Sequence, residues 1–256
     1  LLYITLGIVI LIAIAAVVVY WQLIVAEGAY LGSRVVALLY DWFAPRYDGV
    51  KQFDPASDAV MLAEPIIRHL RAGPHPQPLP RRSEAPGEGS AAPPPVLTGE
   101  GWGEGLVLDV ATGTGRLPAA LMMQPAFNGR IVAVDASRKM LDIAQAKLQA
   151  YQARMDWRHE DAQRLNFADE AFDVVASLEA LEFFTDPALA LREMIRVLKP
   201  GGLLMVSNRI GPDAWKLPGK TMPTYEFVAL LELLGIRAVQ REDWLVDYDL
   251  VVGIKS

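Results

Sequence analysis

Val107-Leu108-Asp109-Val110-Ala111-Thr112-Gly113-Thr114-Gly115 is the stretch whose reading decides the fold. Four residues of strand character run into a loop built on Gly113 and Gly115, and Asp109 stands four positions before the first glycine. A second apolar strand, Ile131-Val132-Ala133-Val134, ends in Asp135, twenty residues past Gly115. Glycines after a first strand let backbone approach a ligand, and an acid ending the second strand can grip two ribose hydroxyls. This is the layout of an adenosine-containing cofactor site on a doubly wound α/β sheet.

Two cofactor classes share that layout. A dinucleotide site asks for G-x-G-x-x-G, with a third glycine packing a helix against the strand and the helix N-terminus facing a pyrophosphate. The position three after Gly115 is Pro118, which suits a first helical turn but is not that glycine. Asp109 would also bring a carboxylate close to two phosphates, whereas a cationic ammonium and sulfonium would welcome it. The balance leans to S-adenosylmethionine.

The next 70 residues extend the pattern. His159-Glu160-Asp161-Ala162 closes an expected third strand, and Phe172-Asp173-Val174-Val175-Ala176-Ser177 forms a fourth. Asp186-Pro187 starts a helix, with Asp as N-cap and Pro at the first helical position. Leu191, Met194, Ile195 and Leu198 share one face of it. Lys199-Pro200-Gly201-Gly202 then turns the chain into a fifth strand, Leu203–Ser207. The motifs LDVATGTG, VAVDAS, EDAQRLNF, FDVVAS and DPALALREMIRVLKPGG, in this order over residues 106–207, resemble a class I S-adenosylmethionine-dependent methyltransferase. The group it is similar to includes the ubiquinone and menaquinone C-methyltransferases.

The resemblance implies a Rossmann-like, seven-stranded sheet and a set of site residues. Asp109 and the loop Ala111, Thr112, Gly113, Thr114 and Gly115 would pass under the methionine and ribose of S-adenosylmethionine. Asp135 would bind the ribose hydroxyls, with Ala136 and Met140 near adenine. Asp161 would accept from the adenine amine beside the backbone of Ala162, and Ser177 and Leu178 would border the transferable methyl group. Taken singly, Asp135 and Asp161 could be a helix cap and a turn residue; together they end successive strands around one crevice. Ala111 stands where the commonest family form has glycine, and alanine serves there provided the position needs no positive φ. Glu179 and Glu182, just past strand four, are candidates for a catalytic base; the other reading makes them solvated charges at a helix start.

Composition bounds the rest. No cysteine is present, so disulfides and thiolate metal sites are excluded, and His69, His75 and His159 are too scattered to suggest a metal. A formal charge of −6 with no basic run argues against nucleic acid as the main partner.

Residues 1–26 hold no charged side chain, and Leu6–Val19 is nearly continuous Leu, Ile, Val and Ala with Tyr20-Trp21 at one edge. At about 1.5 Å per residue this helix spans a hydrocarbon core of roughly 30 Å, and Tyr and Trp suit its interface. A cleaved signal peptide is the alternative, but its apolar run is usually shorter and preceded by a charge. Arg34, Arg46 and Lys51 follow the span, which favours a catalytic domain on the cytoplasmic side. The expected organisation is a transmembrane helix over 1–26, a juxtamembrane and cofactor-covering segment over 27–55, and a methyltransferase domain over 56–256.

Within 27–55, Leu31 to Phe43 reads as an amphipathic helix that either lies on the bilayer or packs on the domain. Phe43-Ala44-Pro45-Arg46-Tyr47-Asp48 resembles the segment that closes over the cofactor in many relatives, making Tyr47 a substrate-side candidate. Residues 73–105 are rich in Pro, Gly, Ser and Glu; they read as a disordered insert, its two ends related as though a palindromic DNA element had entered in frame. A proline-rich binding motif is the alternative reading of that stretch.

After strand five, Asn208–Pro223 forms a long loop carrying Trp215, a second substrate-side candidate. Thr224 is expected to cap a helix ending at Gly235, and Ile236–Arg241 and Trp244–Ile254 to close the sheet as an antiparallel pair. The expected activity is methyl transfer from S-adenosylmethionine to a small, lipid-borne acceptor. A protein acceptor, or a non-catalytic cofactor-binding scaffold in a membrane complex, are the other readings.

Overall fold

The computed structural model describes residues 2–51, 53–73, 105–211 and 213–256. The chain opens with α1 (Leu2–Tyr20), which continues through a π-type turn over Trp21–Val25. Tyr3–Val25 is long and apolar enough to cross a membrane, and its large apolar side chains from Tyr3 to Tyr20 are exposed. A tight turn leads into α2 (Ser33–Lys51), an uninterrupted helix despite Pro45. α3 (Pro55–Asp58), capped by Asp54 Oδ1 accepting from the Ala56 N–H at 3.0 Å, runs through a π-type turn at Ala59–Ala63 into α4 (Glu64–Arg71).

The sheet follows. β1 (Leu106–Val110), α5 (Arg116–Met122), β2 (Arg130–Asp135), α6 (Arg138–Lys147), β3 (Met155–His159), β4 (Phe172–Ser177), α7 (Pro187–Val197) and β5 (Leu198–Arg209) alternate strand and helix. α8 (Thr224–Leu233), β6 (Ile236–Leu245) and β7 (Tyr248–Lys255) complete it. The strand order is β3-β2-β1-β4-β5-β7-β6, with the first five parallel and β7 antiparallel to both its neighbours. This is the expected Rossmann-like α/β sheet of seven strands with an antiparallel closing pair. The order reverses at β1 and β4, and a crevice outside the carboxyl ends of those strands is where open α/β sheets bind ligands.

Two apolar layers cover the sheet, as parallel strands buried on both faces require. Val107, Ile131, Ala133, Val174 and Met205 face α4 and α5 on one side. Leu108, Val132, Val134, Val175 and Leu204 face α7 and α8 on the other. Alternation along β1 thus sends Val107 and Leu108 to opposite layers.

Boundaries differ from the expected ones at three places. β5 begins at Leu198, so Lys199–Gly202 already belongs to the strand, although it pairs regularly with β4 only from Leu203. Trp244 lies in β6 because the closing hairpin turns at Val246-Asp247. Thr224 does not cap α8: its hydroxyl donates to Asp249, a buried carboxylate on β7 that also pairs with Arg241 at 2.6 Å. Asp186 does cap α7, accepting from the Leu189 N–H at 2.9 Å. Except for its end residues Gly73 and Gly105, the Pro/Gly-rich stretch lies outside the described residues. Leu70 packs so closely on Gly105 that a β-carbon there would sit 2.4 Å from Leu70 Cδ2.

Candidate active site

The loop after β1 is organised by two carboxylates. Asp109, buried on β1, accepts from Thr112 Oγ1 at 2.6 Å. Asp135, at the end of β2, accepts from the Gly113 N–H and the Ser137 N–H, each at 2.8 Å. The Thr112 N–H donates to Val134 O at 2.9 Å, tying the loop to β2. Gly113 has φ +55°, and a β-carbon there would meet nothing within 4 Å, so its backbone lies open to the space above. At Gly115, φ +83°, a side chain would instead press on Ala144 Cβ and Leu148 Cδ1 at 3.2 Å, so this glycine serves the packing of α6.

Ala111 takes φ +59°. The position therefore does need the left-handed region, and alanine is held there at a strain of about 1 kcal/mol. Glu179, past the end of β4, has φ +51° and lines the same cleft. Strained non-glycine backbone of this kind clusters at ligand sites.

Burial shifts both carboxyls. It pushes Asp109 up to about 7, opposed by the Thr112 hydrogen bond and assisted by the neighbouring Asp135 charge. It pushes Asp135 up to about 6 against the pull of its two N–H donors. Each group thus holds its charge at a cost, which a cation bound beside it would relieve.

Asp135, Ala111 and Gly113 floor a cleft whose empty space, counted out to open solvent, is about 710 Å³. Its far end is formed by Asp161 and Ala162 after β3, and its side by Leu178, Glu179 and Ala180 after β4. Asp161 Oδ1 accepts from the Gln163 N–H at 3.0 Å, an Asx-type turn that aims the carboxylate. Ala136 lines the cleft, and its carbonyl lies 2.9 Å from His159 Nε2.

α2 forms the roof. Ser33, Val36, Ala37, Tyr40 and Tyr47 look down into the cleft, facing Phe183 and Phe184. Long-range contacts from four of its residues hold the helix there. Ser33 Oγ donates to Asp161 Oδ2 at 3.3 Å, and Asp41 Oδ1 accepts from Ser137 Oγ at 2.5 Å and the Lys139 N–H at 3.1 Å. Asp48 accepts from Thr114 Oγ1 and pairs with Lys147 at 2.7 Å, and Lys51 pairs with Glu179 at 2.5 Å. Of the two readings open for this segment, packing on the domain is the one observed along its inner face. Burial, with the Glu179 charge second, drives the Tyr47 hydroxyl well above the usual phenol range.

A smaller pocket adjoins under Tyr47, Phe53, Asp109, Arg116 and Glu179. Arg116 organises it: its guanidinium pairs with Asp58 at 2.6 Å and Glu179 at 2.7 Å and lies between the rings of Phe53 and Trp244, 4.7 and 4.5 Å from their centroids. In the sequence Arg116 and Asp58 read as ordinary helix residues, because nothing local brings α3 to the loop after β1.

The remaining expected residues lie elsewhere. Met140 is buried on α6, its N–H donating to Ser137 Oγ at 3.2 Å, and does not line the cleft. Ser177 is fully buried at the end of β4, and its hydroxyl has no hydrogen-bond partner among the described residues. Glu182 is buried outside the cleft, accepting from the Tyr248 hydroxyl and from Arg209 Nη1 at 3.2 Å. Trp215 is 75% exposed, in a short 3-10 turn away from the cleft. Among the described residues no His, Asp or Glu cluster could hold a metal.

Residues 108–206 match the methyltransferase domain family. This segment is a methyltransferase domain. The chain is 39% identical over 100 residues to a demethylmenaquinone methyltransferase of Clavibacter sepedonicus, covering 39% of each chain. The chain is also 38% identical over 139 residues to a ubiquinone/menaquinone biosynthesis C-methyltransferase of Teredinibacter turnerae, covering 54% of this chain and 55% of the other. The alignments thus span about half, or less, of the curated relatives' length. Among solved structures, a SAM dependent methyltransferase from Aquifex aeolicus superposes with a TM-score of 0.50 at 22% identity, over 59% of this chain and 82% of that one. The [4+2]-cyclase SpnF superposes with a TM-score of 0.58 at 18% identity, over 88% and 96%. At these identities the superpositions speak for the fold alone.

The methyltransferase domain implies S-adenosylmethionine as cofactor, and the residues present fit it. The cleft offers an unobstructed backbone at Gly113, carboxylates at the end of β2 and after β3, and an apolar wall between them, and the Asp109 carboxylate on β1 lines the adjoining pocket.

Proposed function

We propose that the chain is a membrane-anchored methyltransferase that transfers a methyl group from S-adenosylmethionine to a small lipid-borne acceptor of quinone type, on the cytoplasmic face of the membrane. The observation that carries the lipid part is where the apolar helix ends. Trp21, at the foot of α1, stacks on Tyr30 with ring centroids 5.3 Å apart. Both belong to an apolar cluster that contains Ala26, Ala29, Leu217, Tyr40 and Phe183. Tyr40 and Phe183 also wall the cleft. The foot of the apolar helix is therefore packed into the side of the site, which supports a reading in which an acceptor held in the bilayer reaches the cleft at high effective concentration. The names of the relatives support a quinone-type ring, and Arg34, Arg46 and Lys51 after the span support the cytoplasmic side.

When bound, S-adenosylmethionine supplies an electrophilic methyl group on a sulfonium. The protein's part is positioning and electrostatics. Asp135 is set to accept the ribose hydroxyls, with Gly113 and Ser137 fixing its orientation. Asp161, aimed by Gln163, is set to accept the adenine amine. Asp109 offers negative charge below the loop, where a cationic donor is favoured. The apolar roof and the aromatic wall exclude water. Glu179 has both oxygens engaged by Arg116 and Lys51, so its role is to join roof to floor; Glu182 is sealed away from the cleft.

The test uses the full chain in lipid nanodiscs, S-adenosylmethionine radiolabelled on its methyl group, and membrane lipid extract or a demethylated quinone. Label extracted with the lipids is the expected result. Label retained on protein would assign a protein acceptor instead, and donor binding without any transfer would reduce the chain to a scaffold.

A further inference from the structure

α2 has two faces with opposite chemistry, and the roof uses one of them. Its carboxylates point inward: Asp41 to Ser137 and Lys139, Asp48 to Thr114 and Lys147. Its outward ridge, at i, i+4 spacing, is Arg34, Leu38, Trp42 and Arg46. All four are exposed, Leu38 by 67% and Trp42 by 68%. The Arg46 guanidinium lies 5.9 Å from the Trp42 ring centroid, and among the described residues neither arginine has an ion-pair partner. The outward face is thus apolar and cationic, with no acid to neutralise it.

The position of this face is set by α1. The turn between α1 and α2 is no loose tether: Ala26 and Ala29 are buried, and the Tyr30 hydroxyl donates to Pro218 O at 2.8 Å. α2 therefore starts within one short, fixed turn of the foot of the span. Trp215, three residues from that Pro218 anchor, is exposed beside it. Amphipathic helices that carry Trp and Leu on one face with Arg at its margins lie in the headgroup layer, and two basic residues give them a preference for anionic lipid.

We propose that the outward face of α2 is a second membrane contact, bedded on an anionic leaflet beside the point where α1 enters it, so that the roof of the donor cleft is itself held at the bilayer surface. The inference rests on the proposed anchor and goes beyond it, because an anchor alone leaves the outward face of α2 in water. Its consequence is that lipid composition governs how firmly the roof is seated.

The chain has no cysteine, so single labels can be introduced without background. Leu38→Cys, Trp42→Cys, Ile10→Cys on α1 and Val246→Cys at the remote β6–β7 turn are each made in the full chain and labelled with an environment-sensitive fluorophore. Each is then placed in nanodiscs of phosphatidylcholine, with or without phosphatidylglycerol, that carry shallow nitroxide-labelled lipids. Emission at positions 38 and 42 should be lost when phosphatidylglycerol is present and recover when Arg34→Glu and Arg46→Glu are added. It should also recover in 1 M salt, where the screening length is about 3 Å. Position 10 should be quenched in every disc and position 246 in none.

Unquenched labels at 38 and 42 beside a quenched label at 10 would overturn the docking face and leave the anchor standing. An unquenched label at 10 in a folded chain would remove the anchor and, with it, the docking face. Concentration-dependent protection of 38 and 42 without quenching would assign the face to a second copy of the chain, which also overturns it.

Discussion

The floor of the donor cleft is closed by contacts of short sequence separation, and its roof by contacts of long separation. On the floor, Thr112 bonds Asp109 three residues away, Asp135 bonds Ser137 two residues away, and Gly113 reaches Asp135 across 22. In the roof, Asp48 bonds Thr114 across 66 residues, Asp41 bonds Ser137 across 96, and Ser33 and Lys51 reach Asp161 and Glu179 across 128 each. The floor is strand-end geometry, rigid because two β-strands fix it. The roof is one helix laid over that geometry by polar contacts at its edge, each worth about 1 kcal/mol net.

The largest test of that division is Asp135→Ala. It removes the one carboxylate that both orients the loop and faces the cleft. Donor affinity should fall about 100-fold, since hydrogen bonds to a charged group are worth about 1.5–3 kcal/mol each. Calorimetry with S-adenosylmethionine reads the loss, and circular dichroism checks the fold. Affinity close to that of the parent chain would break the assignment of the floor.

Detaching the roof should matter less. Asp41→Ala combined with Asp48→Ala removes its contacts to α6 and to Thr114, and donor affinity should weaken about tenfold. Amide exchange should rise across residues 33–51 and stay unchanged in β1 and β2. Faster exchange in the strands as well would mean that roof and floor are one cooperative unit, and the comparison would fail.

The smallest effect concerns strain within the floor. Ala111→Gly relieves a left-handed alanine, φ +59°, and should stabilise the chain by about 1 kcal/mol. The denaturant midpoint should rise with an unchanged slope. A lower midpoint would show that the backbone entropy added by glycine outweighs the strain it removes.

The contrast also explains what could be read in advance. Asp109, Gly113, Asp135 and Asp161 were legible because strand periodicity followed by a fixed-length turn sets where each lies, whatever the rest of the chain does. Residues 106–207 follow that logic throughout, and so the sheet could be read from their order. Arg116 and Asp58 were not legible as a pair, since the salt bridge depends on how α3 packs on α5. Trp215 looked like a pocket residue for want of any local sign of which way its loop faces. Thr224 looked like a cap because its spacing allowed one; the buried Asp249 on β7 holds its hydroxyl instead.

By itself, then, the sequence determined the alternation of strand and helix, the carboxylates at the strand ends, and one helix apolar enough to span a bilayer. Each is a matter of local periodicity and composition, acting over a few turns of chain. Only the tertiary structure decided that α2 closes the cleft with its acidic face and turns its cationic face outward. Only it decided that the foot of α1 is packed into the cleft wall through Tyr40 and Phe183. Those facts rest on contacts between residues far apart in the chain, and such contacts exist only once the sheet has set the distances between them.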